Sequence, residues 1–545
     1  MRKLKKIAIV ISFVVMATFL FAFKTDYFEV AKQIEIYTTL FKELNMYYID
    51  EINPGDLTDK AINNMLNDLD PYTKFYDEQS VEEVKINSLG EYSGIGAQSK
   101  FTNNKLLVFE IYQGLPAEKA GMKVGDEILK IDDLAVDSYE DMEVLTLLKG
   151  SPDTMVKLTI NRQGQILNFE MNREKISINP VPHFQMIDQE IGYIAFDKFN
   201  EKATSSVLAA FNDLKTQGMT KLILDVRGNP GGLLNEAISI TNLFVPKNEV
   251  VVTTKAKLKK WSETYRTQND PVDLEIPIIV LIDGASASAS EIVAGSLQDL
   301  DRAVILGERS FGKGLVQRYR DLTYGTKLKL TISKYYTPSG RNIQELDYSN
   351  REGRDVPKFS EVNRNAFKTK NGRTVYDGGG IEPDVKIEKP TATKSTSALF
   401  QSDAIFNFAT IYNSKKPSIS NPEEYVFGDK DYQDFILFLK EHKTLFKTET
   451  ELQFATAFAT AEKENMNKSI QDSYLNLLSQ LQEEKIKELS PNKEEIKEQL
   501  SDEIINRYYF KKGEYQNHIY HNKSILEAVK ILKDNNKYKQ ILNND

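Results

Sequence analysis

The stretch Ile276-Pro277-Ile278-Ile279-Val280-Leu281-Ile282-Asp283-Gly284-Ala285-Ser286-Ala287-Ser288-Ala289-Ser290-Glu291 joins two patterns. Its first half, Ile276 to Ile282, is short, apolar and rich in β-branched side chains, and it stops at the turn pair Asp283-Gly284, so it reads as a buried strand. From Ala289 to Leu300 the spacing is helical, with Ile292, Val293, Gly295, Ser296 and Leu300 able to share a face. The serine cluster therefore falls at a strand-to-helix junction. There the first helical turn offers unpaired N–H groups and the positive end of the helix dipole, which favour a developing alkoxide or oxyanion. A nucleophile is well served at that place, although a Ser/Ala run by itself is more often a close-packing helix start or a turn.

A serine hydroxyl is a weak nucleophile and needs a base. The chain has four histidines, His183, His442, His518 and His521, and three lie far downstream in a charged tail, so a Ser/His/Asp triad is poorly supported. His183 reads as a satisfied structural residue. Gly307-Glu308-Arg309-Ser310-Phe311-Gly312-Lys313-Gly314-Leu315-Val316-Gln317 offers another base. Lys313 stands between two glycines beside an aromatic ring. Glycines permit close backbone approach, and apolar neighbours draw a lysine pKa down from about 10.4 toward neutrality, which makes the amine a general base. Gln317 falls on the side of Lys313 in either a helix or a strand, so its amide can orient that amine. A lone Gly-Lys-Gly is more often a surface turn; the joint pattern carries the reading.

Ser286 to Gln317 resembles the carboxy-terminal processing peptidases, or tail-specific proteases, a family of Ser/Lys-dyad enzymes with a built-in PDZ domain. The resemblance puts the nucleophile on Ser288, the general base on Lys313 and the supporting amide on Gln317, with the family's spacing of 25 residues between Ser288 and Lys313. Ala294 to Asp299 and Tyr335 to Gln344 match on either side, and the likeness runs from about Leu40 to Ile387. It implies a multidomain α/β protein: a helical N-terminal segment, a PDZ-like β domain, an α/β protease core of ββα type and an α-helical C-terminal extension.

The 545 residues suggest three or four domains, and 41% hydrophobic content is enough for sizeable cores. With 79 acidic against 70 basic residues, nucleic acid is not expected as the main partner. The absence of cysteine excludes disulfides and thiolate chemistry. Arg2, Lys3, Lys5 and Lys6 precede the uncharged run Ile7 to Phe23, an export signal by pattern. Bulky Phe19, Leu20, Phe21 and Phe23 obscure any cleavage site, which favours an uncleaved anchor over residues 7–23, with the remainder on the extracytoplasmic, periplasm-like side of the envelope membrane. The expected divisions are 1–25 signal or anchor, 26–83 helical segment, 84–175 PDZ domain, 176–390 protease core and 391–545 helical extension.

In the helical segment Val30, Ile34, Tyr37, Phe41 and Leu44 recur at helical intervals, and Leu57 to Leu69 forms a second helix. From about 84 to 175 short strands succeed one another. Tyr92-Ser93-Gly94-Ile95-Gly96 has the glycines that let a loop aim N–H groups at a peptide carboxylate, and the whole succession resembles a PDZ domain of the bacterial protease type, with Met142 to Leu148 as its second helix. A peptide would add as a strand at the exposed edge, its carboxylate near Gly94, Ile95 and Gly96; a β domain without an open groove is the competing reading. In the core, Lys221 to Val226 is a buried strand that ends in Arg227-Gly228-Asn229-Pro230-Gly231-Gly232, ahead of an apolar helix from Leu233 to Phe244. Such a turn can leave an N–H aimed at the scissile carbonyl. The resemblance assigns the oxyanion hole to Gly231 and Ala289; a phosphate loop is disfavoured because no Gly-Lys-Ser/Thr completes it. Thr391 to Ser397 reads as a linker. The charged helices beyond it, Tyr432 to Phe446, Leu475 to Tyr509 with a break at Ser490-Pro491, and Lys523 to Leu542, read as an extension for dimerisation or partner docking.

The resulting expectation is an envelope serine endopeptidase that acts near the C-terminus of exported proteins and requires no metal or cofactor. Its partners would be proteins or peptides with accessible C-terminal tails, the membrane through the N-terminal run, and a second copy of the chain or an activating adaptor. The alternative is a PDZ-based scaffold with little or no turnover.

Overall fold

The computed structural model describes residues 27–78, 80–138, 144, 146–351, 356–464 and 468–543. The expected anchor at 7–23 lies outside the described residues, as do Met142, Glu143 and Leu145 of the expected second PDZ helix.

The chain forms two units, one comprising residues up to Tyr76 together with Tyr319–Leu330, the other everything else. In the first, residues 27–47 and Pro54–Asn67 are helical. The second of these helices starts where Asn53 accepts the N–H of Gly55 on its side chain and Pro54 supplies a preset φ. The strand Lys74–Tyr76 pairs antiparallel with Lys327 to Lys329. The apolar face expected on the leading helix is largely exposed at Val30 and Ile34, 58% and 59%, and less so at Tyr37 and Leu44, 45% and 38%.

In the second unit, the PDZ-like domain is a sheet of β1 (Ala97–Thr102), β2 (Lys105–Ile111), β3 (Glu127–Ile131), β4 (Met155–Arg162) and β5 (Gln165–Asn172), antiparallel in that order. Strict alternation buries Leu106, Val108, Val156, Leu158 and Ile160 on one face. Strand β1 lies at the edge.

The protease core is one sheet of β6 (His183–Met186), β7 (Ile191–Ala195), β8 (Lys221–Asp225), β9 (Ile278–Ile282), β10 (Val304–Gly307) and β12 (Val385–Lys386), in that spatial order. Strand β11 (Leu315–Asp321) belongs to a different sheet. All neighbours in the core sheet except β6 and β7 are parallel. Parallel strands buried on both faces read as continuous apolar runs, and β9 is buried at every position. Three helices, α1 (Ala203–Thr216), α2 (Leu234–Asn242) and α3 (Ala289–Asp299), bury one face.

The opposite face is covered from the chain's far end. Helices α4 (Ala404–Lys415), α5 (Asp429–Glu441) and the long α6 (Lys493–His521) build a core of their own around Phe408, Phe435 and Ile504. The end of α6 and α7 (Lys523–Lys533) then lay Ile519, Ile525, Ala528, Ile531 and Leu532 against Ile223, Ile279 and Leu306 of the sheet. The Tyr538 hydroxyl donates to the Ile278 carbonyl at 3.1 Å and accepts its N–H at 2.9 Å. The residues read as a docking extension thus complete the third layer of the core. Two local expectations also change. Thr391 to Ser397 is no linker, because Thr393 accepts the N–H of Thr396 and caps a helix, Lys394–Phe400. The expected break at Ser490-Pro491 is present, but α6 continues to His521 through a kink at Phe510.

Candidate active site

Of the three serines at the head of α3, two are spent on structure. Ser286 and Ser290 are fully buried; their hydroxyls donate to the carbonyls of Val226 and Asn229 at 2.8 and 2.9 Å. Ser288 is half-buried, and it sits at the helix N-cap with φ 56° and ψ −110°. A left-handed φ on a non-glycine residue costs of the order of 1–3 kcal/mol and persists where its surroundings fix it. Those surroundings are explicit. The Ser288 N–H donates to Glu291 Oε2 at 2.8 Å, Ala287 N–H to the Asn229 carbonyl at 3.0 Å, and Phe311 N–H to the Ser286 carbonyl at 3.0 Å.

Glu291 organises the second half of the site. Its carboxylate, wholly inside the protein, also receives the N–H of Lys313 at 2.9 Å, the N–H of Gly312 at 2.7 Å and the Ser310 hydroxyl at 2.6 Å. Burial pushes this carboxyl above its ordinary range against the pull of those four donors. The loop carrying Lys313 is thereby fastened to the first turn of α3. Gly314 N–H is held by Gln344 Oε1 at 2.9 Å, and a Cβ on Gly314 would come within 2.8 Å of the Gln344 nitrogen. Lys313 is half-buried, while the neighbouring Phe311 ring is 44% exposed. Gln317 Nε2 donates to Thr331 Oγ1 at 3.2 Å.

Gly231 packs directly on the Ser288 turn at φ 93°. A Cβ there would stand 2.6 Å from the Ala287 carbonyl oxygen, 2.8 Å from Ala289 N and 2.9 Å from Ser288 Cβ. Gly231 and the N1 residue Ala289 are thus brought together. The N–H of Gly231 is donated to Asn229 Oδ1 at 2.9 Å, and the Asn229 amide donates onward to the Phe196 carbonyl at 2.9 Å.

Residues 190–348 match the family model of peptidase family S41, residues 93–172 that of a PDZ domain, and residues 395–532 that of a probable PDZ-protease C-terminal helical domain. A carboxy-terminal-processing protease of Bartonella bacilliformis is 38% identical over 321 residues, 58% of this chain and 73% of that protein. The chain belongs to peptidase family S41. Its relatives are the carboxy-terminal-processing serine proteases, and a probable CtpA-like serine protease of Staphylococcus aureus is 32% identical over 59% of this chain and 65% of its own length. Among solved structures, a photosystem II D1 C-terminal processing protease aligns with 65% of this chain and 88% of its own at 26% identity, with a TM-score of 0.37.

In this S41 chain the PDZ loop is ordered by its own backbone. Gly94 ends a strand, Glu91–Gly94, paired with Glu174–Ser177; the Ile95 carbonyl accepts the Ala117 N–H at 2.8 Å, and Gly96, at φ 77°, accepts that of Tyr112 at 2.9 Å. Ile95, Ser99, Tyr112 and Leu148 line a cavity of about 280 Å³ beside edge strand β1, with Lys149 and Lys198 at it. The Ser93 and Ser99 hydroxyls are buried without a hydrogen-bond partner among the described residues.

Two functional groups have no role in the sequence reading. Glu291 carries one signal, its place three residues after an N-cap serine, the spacing of a capping box. Arg227 carries none. It pairs with Asp225 through Nε at 2.8 Å and reaches Asn522 Oδ1, the cap of α7, at 2.8 Å. Burial disfavours the Asp225 charge, yet Arg227 holds that carboxyl below its ordinary range. The Arg227 turn is thus tied to the helical domain. His183 is buried, bonded to Gln185 at 3.0 Å, and takes no part in the site.

Proposed function

We propose that this S41 protein is a serine endopeptidase of the cell envelope that engages the C-terminal tail of exported proteins through its PDZ domain and cuts near it. Ser288 attacks the scissile carbonyl, Lys313 takes the hydroxyl proton and later delivers it to the leaving amine, and Gln317 holds the amine with Thr331 behind it. The N–H groups of Ala289 and Gly231 receive the oxyanion, which requires Gly231 to leave Asn229. The substrate tail adds to edge strand β1, with its carboxylate at Gly94, Ile95 and Gly96. The run Ile7 to Phe23 anchors the enzyme on the outer side of the membrane; no described helix is long and apolar enough to cross one.

The observation that carries this reading is the convergence of Ser288 N–H and Lys313 N–H on Glu291, which fixes nucleophile and base loops against each other. The test is cleavage of an unfolded protein with an apolar C-terminus by wild-type enzyme and by Lys313→Ala, with free and with amidated substrate. Loss of turnover in the variant and slower cleavage of the amidated substrate are expected; full activity in Lys313→Ala would remove it from the mechanism.

One observation favours the scaffold alternative: the Gly231 N–H is already satisfied by Asn229. Labelling of Ser288 by a serine-reactive phosphonate separates the two, since a protein without turnover capacity stays unlabelled.

A further inference from the structure

Helix α6 is broken at Phe510, where φ is 58° and ψ is −172°, and the Phe510 ring packs onto the PDZ core. The break sets two helical arms face to face. Asp502 and Asn506 lie one turn apart on the first, Glu514 and His518 one turn apart on the second, so each pair shares a helix face. His518 Nε2 is 2.8 Å from Asp502 Oδ1, and one donor atom each from Asp502, Glu514 and His518 lie within 4.8 Å of one another.

A second observation points the same way. The Asn506 side-chain oxygen is buried and has no hydrogen-bond partner among the described residues, although it lines a cavity of about 300 Å³ together with Asp502 and Glu514. An orphaned buried carbonyl is costly, and a cation satisfies it. Asp502, Glu514 and His518 also line a cavity of about 500 Å³ whose walls carry eight carboxylates against three Lys or Arg side chains. The groups that face the cluster with positive charge are Lys511, 2.5 Å from Glu514, Arg227, which is already paired with Asp225, and Lys389, paired with Glu308 at 2.8 Å.

We propose that the two arms of α6 bind one divalent transition-metal cation, Zn²⁺ or Mn²⁺, through Asp502, Glu514 and His518, with Asn506 Oδ1 as the adjacent oxygen donor. One imidazole with carboxylates suits these ions better than Ca²⁺ or Mg²⁺, which take oxygen ligands. On binding, the cation displaces the Lys511 ammonium from Glu514, and any proton on the ligating His518 nitrogen passes to solvent. The cation replaces the Lys511 contact with a three-ligand joint one turn before Asn522, the residue that holds Arg227. It takes no part in peptide hydrolysis; it braces the helical domain against the turn that backs Ser288.

The test is isothermal titration of the full-length protein, stripped with EDTA and dialysed, with ZnCl₂ and separately with MnCl₂. One equivalent should bind tighter than about 100 μM for at least one ion, within the range of protein metal sites. Glu514→Gln and His518→Gln should each weaken it about 10–100-fold, with circular dichroism of the metal-free variants checking that they fold. Asn506→Asp leaves the three ligands in place, adds a charged oxygen, and should tighten binding. Absence of one-equivalent binding tighter than about 100 μM, or binding indifferent to both ligand substitutions and to Asn506→Asp, would overturn the assignment.

Discussion

Ser288 and Lys313, 25 residues apart in sequence, are joined through one atom: both backbone N–H groups end on Glu291 Oε2, at 2.8 and 2.9 Å. One buried carboxylate therefore ties the Lys313 loop to the Ser288 turn, alongside the Phe311 N–H on the Ser286 carbonyl.

Glu291→Gln should expose this dependence. The amide keeps the volume but offers one acceptor oxygen to four donors and turns its own NH₂ toward an N–H. We expect kcat to fall about 100-fold or more, as loss of alignment does, and stability to fall by about 1–3 kcal/mol. Steady-state cleavage and urea unfolding measure both, and wild-type turnover would mean that Glu291 supports the fold alone.

The three serines should separate cleanly. Ser288→Ala removes the one hydroxyl of the three that sits on a half-buried rather than a fully buried side chain, and it should abolish cleavage with little change in stability. Ser286→Ala and Ser290→Ala each break a buried hydrogen bond to the turn preceding α2 and should cost about 1–2 kcal/mol while leaving measurable activity. An inactive but fully stable Ser286 or Ser290 variant would contradict this division.

Part of this arrangement is legible in the sequence and part is not. The apolar run into Asp283-Gly284 and the helical spacing after Ala289 locate the strand-to-helix junction because both signals are local. The role of Glu291 is hidden because its partners, Ser310, Gly312 and Lys313, lie in a loop without periodicity. The covering of the sheet's second face is hidden for another reason. Ile525, Ala528 and Leu532 announce a helix side that needs a cover, but a periodic stripe does not say whether that cover is a second molecule or the same chain. The capped helix at Lys394 was concealed by the Thr/Ser composition around it, which suits caps and linkers equally.

At Phe510 the backbone and the ring make opposing demands. Its φ of 58° with ψ of −172° belongs to a region that glycine alone occupies readily, while the ring packs on the PDZ core. Phe510→Ala and Phe510→Gly both lose the ring, so their difference isolates the backbone. The glycine variant should be the more stable by about 1 kcal/mol in urea unfolding, the reverse of the order in a regular helix. Equal stabilities would mean that the kink relaxes once the ring is gone.

Asp197 is a pH handle. Burial pushes its carboxyl up to about 6, above its value in the unfolded chain. A raised carboxyl pKa favours the folded state below the unfolded value and loses that contribution as pH rises through about 6. Asp197→Asn should therefore raise the thermal midpoint at pH 8, by up to about 3 kcal/mol of stability, and leave it nearly unchanged at pH 4. A gain confined to pH 4 would reverse the assignment.

The packing of α7 on the second face of the sheet also sets a schedule for biogenesis. Strand β12 closes the sheet at Lys386, yet the helix that covers it begins at Lys523, about 140 residues later. At roughly 5–20 residues per second of synthesis, the catalytic sheet stands bare on one side for about 7–28 s. A chain ending at Asn522 should accordingly bind a hydrophobic dye and be degraded by trypsin far faster than the full chain; equal resistance would show that the sheet stands without its last helices. With that cover essential, the chain could not cut other proteins before its own synthesis was complete, so the order of elements along it would itself delay proteolysis until release.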